Sequence, residues 1–169
     1  ESNPLAVNLY VLTYDKSGKL TTLPTAAKEN LKTYLSQYRL LTDAVNIKDG
    51  YIVNIGIDFE VTVTAGQNSN EVLIKCIDAL KQKLNISKIS FSSSIYISDL
   101  FICLANVPGV QSVVSVDVVN KFGAVQGYSE YRYNIEEATY KNIIYPSLDP
   151  SVFEIRYPDQ DIKGKVVSY

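Results

Sequence analysis

The clearest alternation of apolar and polar residues lies in residues 51–64. Every odd position from Val53 to Val63 is apolar, whereas the even positions carry Asn54, Asp58 and Glu60. A period of two residues is typical of a β-strand with one face buried and the other in water. The pattern therefore predicts a long strand whose odd side chains enter a core.

The remaining apolar residues predict three helices and three further strands. A helical period runs through residues 25–39, 71–84 and 98–107, and the first helix is expected to end near Arg39. Strand-forming residues fill 8–14, 44–48 and 112–119. The first strand is apolar on both sides, which is typical of a central strand. Asp49-Gly50 predicts a two-residue hairpin turn before the long strand.

The order of these elements predicts the fold. Strand, helix, strand, strand, helix (in two pieces) and strand is the βαββαβ order of the ferredoxin-like fold. We therefore expect residues 5–119 to form an α+β, two-layer sandwich, with an antiparallel four-stranded sheet and helices on one face.

Residues 120–169 have a different composition, and they predict an irregular, β-rich C-terminal extension. Prolines interrupt the segment, so it is expected to consist of extended stretches joined by turns. It contains seven of the thirteen tyrosines, namely Tyr128, Tyr131, Tyr133, Tyr140, Tyr145, Tyr157 and Tyr169. A segment so rich in aromatics is expected to pack, either on the open face of the sheet or on another chain.

Four residues of this extension are the predicted anchors of a protein interface: Tyr145, Leu148, Phe153 and Tyr157. Buried aromatic side chains usually dominate such interfaces, and tyrosine suits a surface that is apolar but wet at its tip. The alternative is that the same side chains close the domain to which they belong. The sequence leaves both interpretations open.

Composition excludes several classes of chemistry. The 169 residues contain no His, so a Ser-His-Asp triad, a Cys-His nucleophile and an imidazole metal ligand are all absent. Cys76 and Cys103 alone cannot complete a structural zinc site, and we expect both to be reduced core thiols. No catalytic, cofactor-binding or metal-binding residue is predicted.

Two other classes of function remain as alternatives. Asp58 and Glu60 share a strand face and could form an acid–base pair in a carboxylate-dependent enzyme, although the wet side of an amphipathic strand explains them more simply. A small ligand- or RNA-binding domain could use the same fold plan. The net charge of −2, and the carboxylates on the open strand face, argue against nucleic acid.

Targeting signals are also absent from the sequence. The first residues have neither the basic region nor the apolar run of a secretory signal, and no segment is long and apolar enough to predict a membrane span. Reduced cysteines predict assembly in the cytoplasm. Because the chain contains no Met, even at position 1, we expect it to be a fragment of a longer protein.

Three stretches resemble the C-terminal part of the baseplate wedge proteins of T-even-type contractile-tail phages, within the broader baseplate J-like family. The first is Val7–Leu12, followed by a helix and Arg39–Ile47. The second is SDLFICLANVPGVQSV, residues 98–113, which is similar to the family's short helix, Pro-Gly turn and strand. The third is IIYPSLDPSVFEIRYPDQDIKGKV, residues 143–166, which resembles the C-terminal arm of the T-even-type members.

The resemblance implies a structural part of a virion and no enzymatic activity. Family members form a ring of wedges around the tail hub, associate as dimers and bind other wedge proteins. The expected location is therefore the tail baseplate, after assembly in the host cytoplasm. The expected partners are a second copy of the chain and other baseplate wedge proteins, without nucleic acid or membrane.

Overall fold

The computed structural model describes residues 6–38, 44–85 and 90–168. Its helices are α1 (Thr25–Ser36), α2 (Ser69–Lys83), α3 (Ile97–Ala105) and α4 (Pro158–Asp161). Its strands are β1 (Ala6–Val11), β2 (Thr13–Tyr14), β3 (Leu20–Thr21), β4 (Ala44–Asp49), β5 (Tyr51–Val63), β6 (Ile95–Tyr96), β7 (Val110–Lys121), β8 (Thr139–Tyr140), β9 (Ile143–Ile144), β10 (Ser151–Glu154) and β11 (Ile162–Val166).

The chain divides into two compact units, Glu1–Tyr51 and Ile52–Tyr169. In the first unit, β1 and β4 pair in parallel from Ala6↔Ala44 to Val11↔Asp49, with α1 between them in the chain. β2 and β3 form a small antiparallel pair. The first unit is therefore a β-α-β crossover with an added hairpin.

β5 is the central strand of the second unit. β7 pairs with it antiparallel from Asn54 to Val63, and β11 pairs with it in parallel from Ile57 to Val61. Because a strand has two edges and β7 occupies one along this length, β11 lies on the other. β10 also pairs with β5. The sheet therefore has four strands, and two of them come from the last twenty residues.

One face of this sheet is covered by α2 and α3. The helix α2 packs on β11, α3 packs on β7, and the two helices contact each other. The buried side chains at this contact include Val53, Ile55, Ile57, Phe59 and Val61 of β5, Val72, Cys76 and Leu80 of α2, and Leu100 and Leu104 of α3. The odd residues of β5 thus enter the core, as the alternation predicts.

Gly164 lets β11 pack against the largest of these side chains. It lies opposite Phe59 in the register, and a Cβ on it would lie 2.3 Å from Cζ of the Phe59 ring. Phe59 is 2% exposed. The ring therefore fills the space that any other residue at position 164 would need.

The prediction of a ferredoxin-like sandwich is wrong, although the chain is α+β. Among the described residues, β1 and β4 pair only with each other, so neither joins the sheet of β5. The expected hairpin at Asp49-Gly50 is also absent from the described pairings, since Asp49 ends β4 opposite Val11 and its carboxylate accepts a 2.6 Å hydrogen bond from Lys28. Asp49-Gly50 does not form the predicted hairpin turn because Asp49 pairs with Val11 in the strand ladder and forms an ion pair with Lys28, both in the first unit.

The first strand is not central. Val7 and Leu9, which share one side of β1, are 57% and 37% exposed, so the apolar residues on that side do not mark a buried strand. The three predicted helices are present, with boundaries shifted by a few residues. The expected helix end at Arg39 lies outside the described residues.

The C-terminal extension packs on its own chain through a buried polar group. Asn54 of β5 is fully buried, and its Nδ2 donates a 2.8 Å hydrogen bond to Oε1 of Glu154, which is also buried. Its Oδ1 accepts a 2.7 Å hydrogen bond from the backbone N–H of Ser129. One amide thus joins β5 to two parts of the extension.

Candidate functional site

The four predicted anchors fall into two groups. Phe153 is 2% exposed, lies in β10 and contacts the ring of Tyr133 edge-on at 5.7 Å between centroids. Tyr157 is half-buried, and its ring meets that of Tyr128 at 5.4 Å. By contrast, Tyr145 is 46% exposed and Leu148 is fully exposed. Tyr145 and Leu148 are therefore the two most exposed of the four predicted anchors, whereas Phe153 already packs inside its own chain.

A small sheet presents further aromatic side chains next to Tyr145 in the chain. β9 lies between β6 and β8, and the pairing places Tyr96 and Tyr140 directly opposite Ile143 on either side. Residues opposite each other in paired strands point to the same face. Tyr96, Ile143 and Tyr140 therefore form one row, which we call the aromatic row. Tyr96 is 50% exposed and Tyr140 is 62% exposed.

The other face of the small sheet fixes the aromatic row to the body of the second unit. Ile95 and Ile144 point to that face and are buried in the core. The backbone N–H of Ile97, the first residue of α3, donates a 2.9 Å hydrogen bond to the carbonyl of Asn142. The aromatic row is thus held on a backbone that is attached on its inner side.

The turn between β8 and β9 sets the register of the row. Lys141 and Asn142 both have positive φ, at 49° and 61°. Two central residues with positive φ are typical of a type I′ hairpin turn, which usually contains Asn-Gly or Asp-Gly. Without those dipeptides, the sequence does not predict this hairpin. The available signal was Thr139-Tyr140 and Ile143-Ile144, two pairs of strand-forming residues around a two-residue turn.

The hydroxyl of Tyr133 and the backbone of Ala138 tie Tyr145 to this sheet. The N–H of Tyr145 donates a 3.0 Å hydrogen bond to the carbonyl of Ala138, which extends the ladder of β8 and β9 by one residue. The hydroxyl of Tyr133 donates to the carbonyl of Tyr145. Tyr145 therefore continues the exposed surface that begins with the aromatic row. Leu148 lies three residues further along the chain.

The two carboxylates that could have formed an acid–base pair lie on the face of the β5 sheet opposite the helices. The depression that they line measures about 190 Å³, and it also contains Asp117, Lys163 and Lys165. The Glu60 carboxylate lies 4.0 Å from the Lys165 ammonium group. The structure therefore places these acids among lysines on a shallow, open surface.

Both cysteines are free, and they lie where the sequence analysis placed them. Cys76 is buried in the core, and Cys103 packs against it half-buried. Burial raises the pKa of the Cys76 thiol to about 11 and also raises that of Cys103. A thiol with a raised pKa is a poor nucleophile at neutral pH.

Within the described ranges, no group of three or more His, Cys, Asp or Glu side chains could hold a metal ion. No helix in that part of the chain is long and apolar enough to cross a membrane. Comparison with protein-family models and with curated proteins gives no match to this chain.

Proposed function

We propose that this chain is a non-enzymatic structural part of a contractile-tail phage baseplate, which acts by self-association and by binding other baseplate proteins. Its place would be the virion tail, after assembly in the host cytoplasm. The observation that carries the proposal is the aromatic row, because two largely exposed tyrosines on one attached sheet face are suited to an interface. The resemblance of residues 143–166 to a baseplate arm supports the same assignment.

The two faces of the small sheet differ in what they contact. One face buries Ile95 and Ile144, so the sheet is not a loose hairpin that could adapt to solvent. The other face exposes aromatic surface that water solvates poorly. Tyrosine loses little conformational entropy when it binds, and it is enriched at the centres of interfaces. Tyr145 and Leu148 extend this surface, and they keep the role of anchors in the proposal.

The test is light scattering on a size-exclusion column, over a concentration series that reaches high micromolar. The wild-type chain is expected to self-associate. The double variant Tyr96→Ala/Tyr140→Ala is expected to weaken association about tenfold or more, because it removes two aromatic anchors. Tyr14→Ala is the matched control, since Tyr14 is 51% exposed and lies in the first unit.

Circular dichroism would verify that each variant keeps its fold. A wild-type chain that stays monomeric throughout the series would contradict the proposal. If the double variant and Tyr14→Ala weaken association equally, the aromatic row is not the surface through which the chain associates.

A further inference from the structure

The first strand of the first unit has an outer edge with no strand beside it. β1 pairs in parallel with β4 on one side, and within residues 6–38, 44–85 and 90–168 no strand pairs with its other edge. The helix α1 packs on β4. Val7, Asn8 and Leu9 are all exposed, although successive side chains of a strand point to opposite faces of the sheet. Residues 7–9 are therefore open to solvent on both faces of this sheet.

The sequence of β1 lacks the features that keep an edge from pairing. Proteins protect exposed edges with charged side chains, prolines or bulges. Among the described strands of four residues or more, β1, with the sequence Ala-Val-Asn-Leu-Tyr-Val, alone contains no charged residue. The edge strand β7, by contrast, carries Asp117 and Lys121 and has two register shifts against β5. A regular, uncharged edge is a template for another strand.

One hydrogen bond at the end of β1 shows which backbone groups point outward. The N–H of Gly50, just after β4, donates a 3.1 Å hydrogen bond to the carbonyl of Val11, so the backbone groups of Val11 point toward β4. The direction of these groups alternates along a strand, so those of Leu9 and Val7 also point toward β4. The outer edge carries the N–H and C=O groups of the remaining residues, Ala6, Asn8 and Tyr10.

These outward groups match those of a second copy under one symmetry operation. A two-fold axis perpendicular to the sheet brings the outer edges of two β1 strands together, and it makes them antiparallel. Hydrogen-bonded pairs must join outward residues, so the register that uses all of them centres on Asn8. Asn8 then lies opposite Asn8 of the second copy, Ala6 lies opposite Tyr10, and Val7 lies opposite Leu9. No like charges meet, because β1 carries none.

We propose that β1 pairs with β1 of a second copy of this chain, antiparallel about an axis at Asn8, and that the two β1–β4 pairs thereby form one four-stranded sheet. An isolated two-stranded sheet is marginally stable, and parallel strands normally belong to larger, buried sheets. The pairing brings Val7, which is 57% exposed, into contact with Leu9, which is 37% exposed.

The contact is a single strand pair, so it is small and reversible. It lies in the first unit, whereas the aromatic row lies in the second. The inference rests on the proposed function, because it names a second surface for the self-association in that proposal. The two surfaces belong to different residues, so their failures can be told apart.

Substitution of Asn8 tests the pairing, because this residue meets its own copy at the axis. Asn8→Lys opposes two lysines and Asn8→Asp opposes two aspartates, so each variant should self-associate about threefold or more weakly than the wild type. In an equal mixture of the two variants, lysine lies opposite aspartate. We expect the mixed dimer to exceed its statistical share at low salt, where charge pairs are screened least.

Native mass spectrometry distinguishes the variants by mass and counts mixed and unmixed dimers. Asn30→Lys and Asn30→Asp are the matched controls, since Asn30 is exposed on α1 in the same unit, and their mixed dimer should form at its statistical share. Circular dichroism verifies that each variant is folded.

A statistical share of mixed dimers for the Asn8 variants would overturn the inference, and the edge would then be left to a strand of a different protein. The proposed function would stand in that case if the wild type self-associates and Tyr96→Ala/Tyr140→Ala weakens the association. A wild type that forms no oligomers would contradict both proposals.

Discussion

The exposure of large apolar side chains differs sharply within one short segment. Phe153 and Leu148 are five positions apart, and both were predicted as anchors, but Phe153 is 2% exposed and Leu148 is fully exposed. Phe153 lies in β10 and contacts Tyr133, whereas Leu148 lies between strands. Residue type alone indicates that such side chains favour burial, either in their own chain or against a partner. The partner that buries them depends on the neighbouring strand.

Tyr128, whose ring contacts Tyr157, has its hydroxyl hydrogen-bonded to a buried acid. It donates a 2.5 Å hydrogen bond to Oδ1 of Asp161, which is 2% exposed. The other oxygen of Asp161 accepts a 3.0 Å hydrogen bond from the backbone N–H of Tyr157, at the start of α4. Burial, followed by this carboxylate, raises the pKa of Tyr128 to about 12.

The raised pKa predicts a specific loss of stability at alkaline pH. Below pH ~10, the usual tyrosine pKa, Tyr128 is protonated in both the folded and the unfolded chain, so its contribution to the free energy of unfolding is complete. Between pH 10 and about 12 it ionises first in the unfolded chain, and this contribution is lost as the pH rises. Urea unfolding from pH 8 to 11.5 should show a steeper decline in the wild type than in Tyr128→Phe.

The exposed Tyr140 supplies the control for this comparison. Tyr140→Phe removes the same hydroxyl from a side chain that is 62% exposed, so it separates the loss of a tyrosine from the loss of the Tyr128–Asp161 hydrogen bond. If the free energy of unfolding falls with pH equally in the wild type and in Tyr128→Phe, ionisation of Tyr128 does not destabilise the fold in this range.

At the scale of elements, a buried amide joins the C-terminal extension to β5. Asn54 donates to Glu154 and accepts from Ser129, and all three belong to the second unit. Asn120 repeats the arrangement on β7, since its Nδ2 donates to the carbonyl of Asn54 and its Oδ1 accepts from the N–H of Tyr133. The extension is therefore anchored by hydrogen bonds as well as by Phe153.

Asn54→Ala should destabilise the second unit by about 1–3 kcal/mol, because it removes one hydrogen bond from the buried Glu154 carboxylate, which Arg156 still contacts, and takes the acceptor away from the backbone N–H of Ser129. Chemical denaturation measures this difference directly. Asn70→Ala is the matched control, since Asn70 is exposed in the first turn of α2 and a change there should stay within about 0.5 kcal/mol. Similar losses in the two variants would contradict the role given to Asn54.

At the scale of the whole molecule, the two units differ in how much they bury. In the described part of the first unit, Leu20 is the one hydrophobic side chain that is buried. The second unit buries a cluster that spans β5, α2 and α3. Stability within a protein follows the amount of buried apolar contact, so the two units should open with different free energies.

Hydrogen exchange followed by mass spectrometry should reveal this difference. Backbone amides of β5 and β7 are expected to exchange at least about tenfold more slowly, relative to their intrinsic rates, than those of β1 and β4. Each pair of strands is hydrogen-bonded, so burial is the variable that the comparison tests. Equal protection in the two units would show that they unfold together.

The candidate surface was only partly predictable from the sequence. Tyr145 and Leu148 were identified because they follow an apolar pair in a segment with prolines. Tyr96 was not, since it lies in a different part of the chain and joins the aromatic row only through the pairing of β6 with β9. The depression that Asp58 and Glu60 line has the same origin, because Asp58, Asp117 and Lys163 come from three strands.

By itself, the sequence determined the elements with a clear period, namely β5, α2 and α3, and the side of each that is buried. These properties are local, because a side chain's direction depends on its place in the helical or strand repeat. The strands that flank β5 are known only from the tertiary fold: β7, β10 and β11 pair with β5, whereas β1 and β4 pair with each other. A strand edge offers the same backbone N–H and C=O groups to every candidate partner strand. Which strand pairs with it therefore depends on the apolar surface that the whole arrangement buries, and that surface comes from distant parts of the chain.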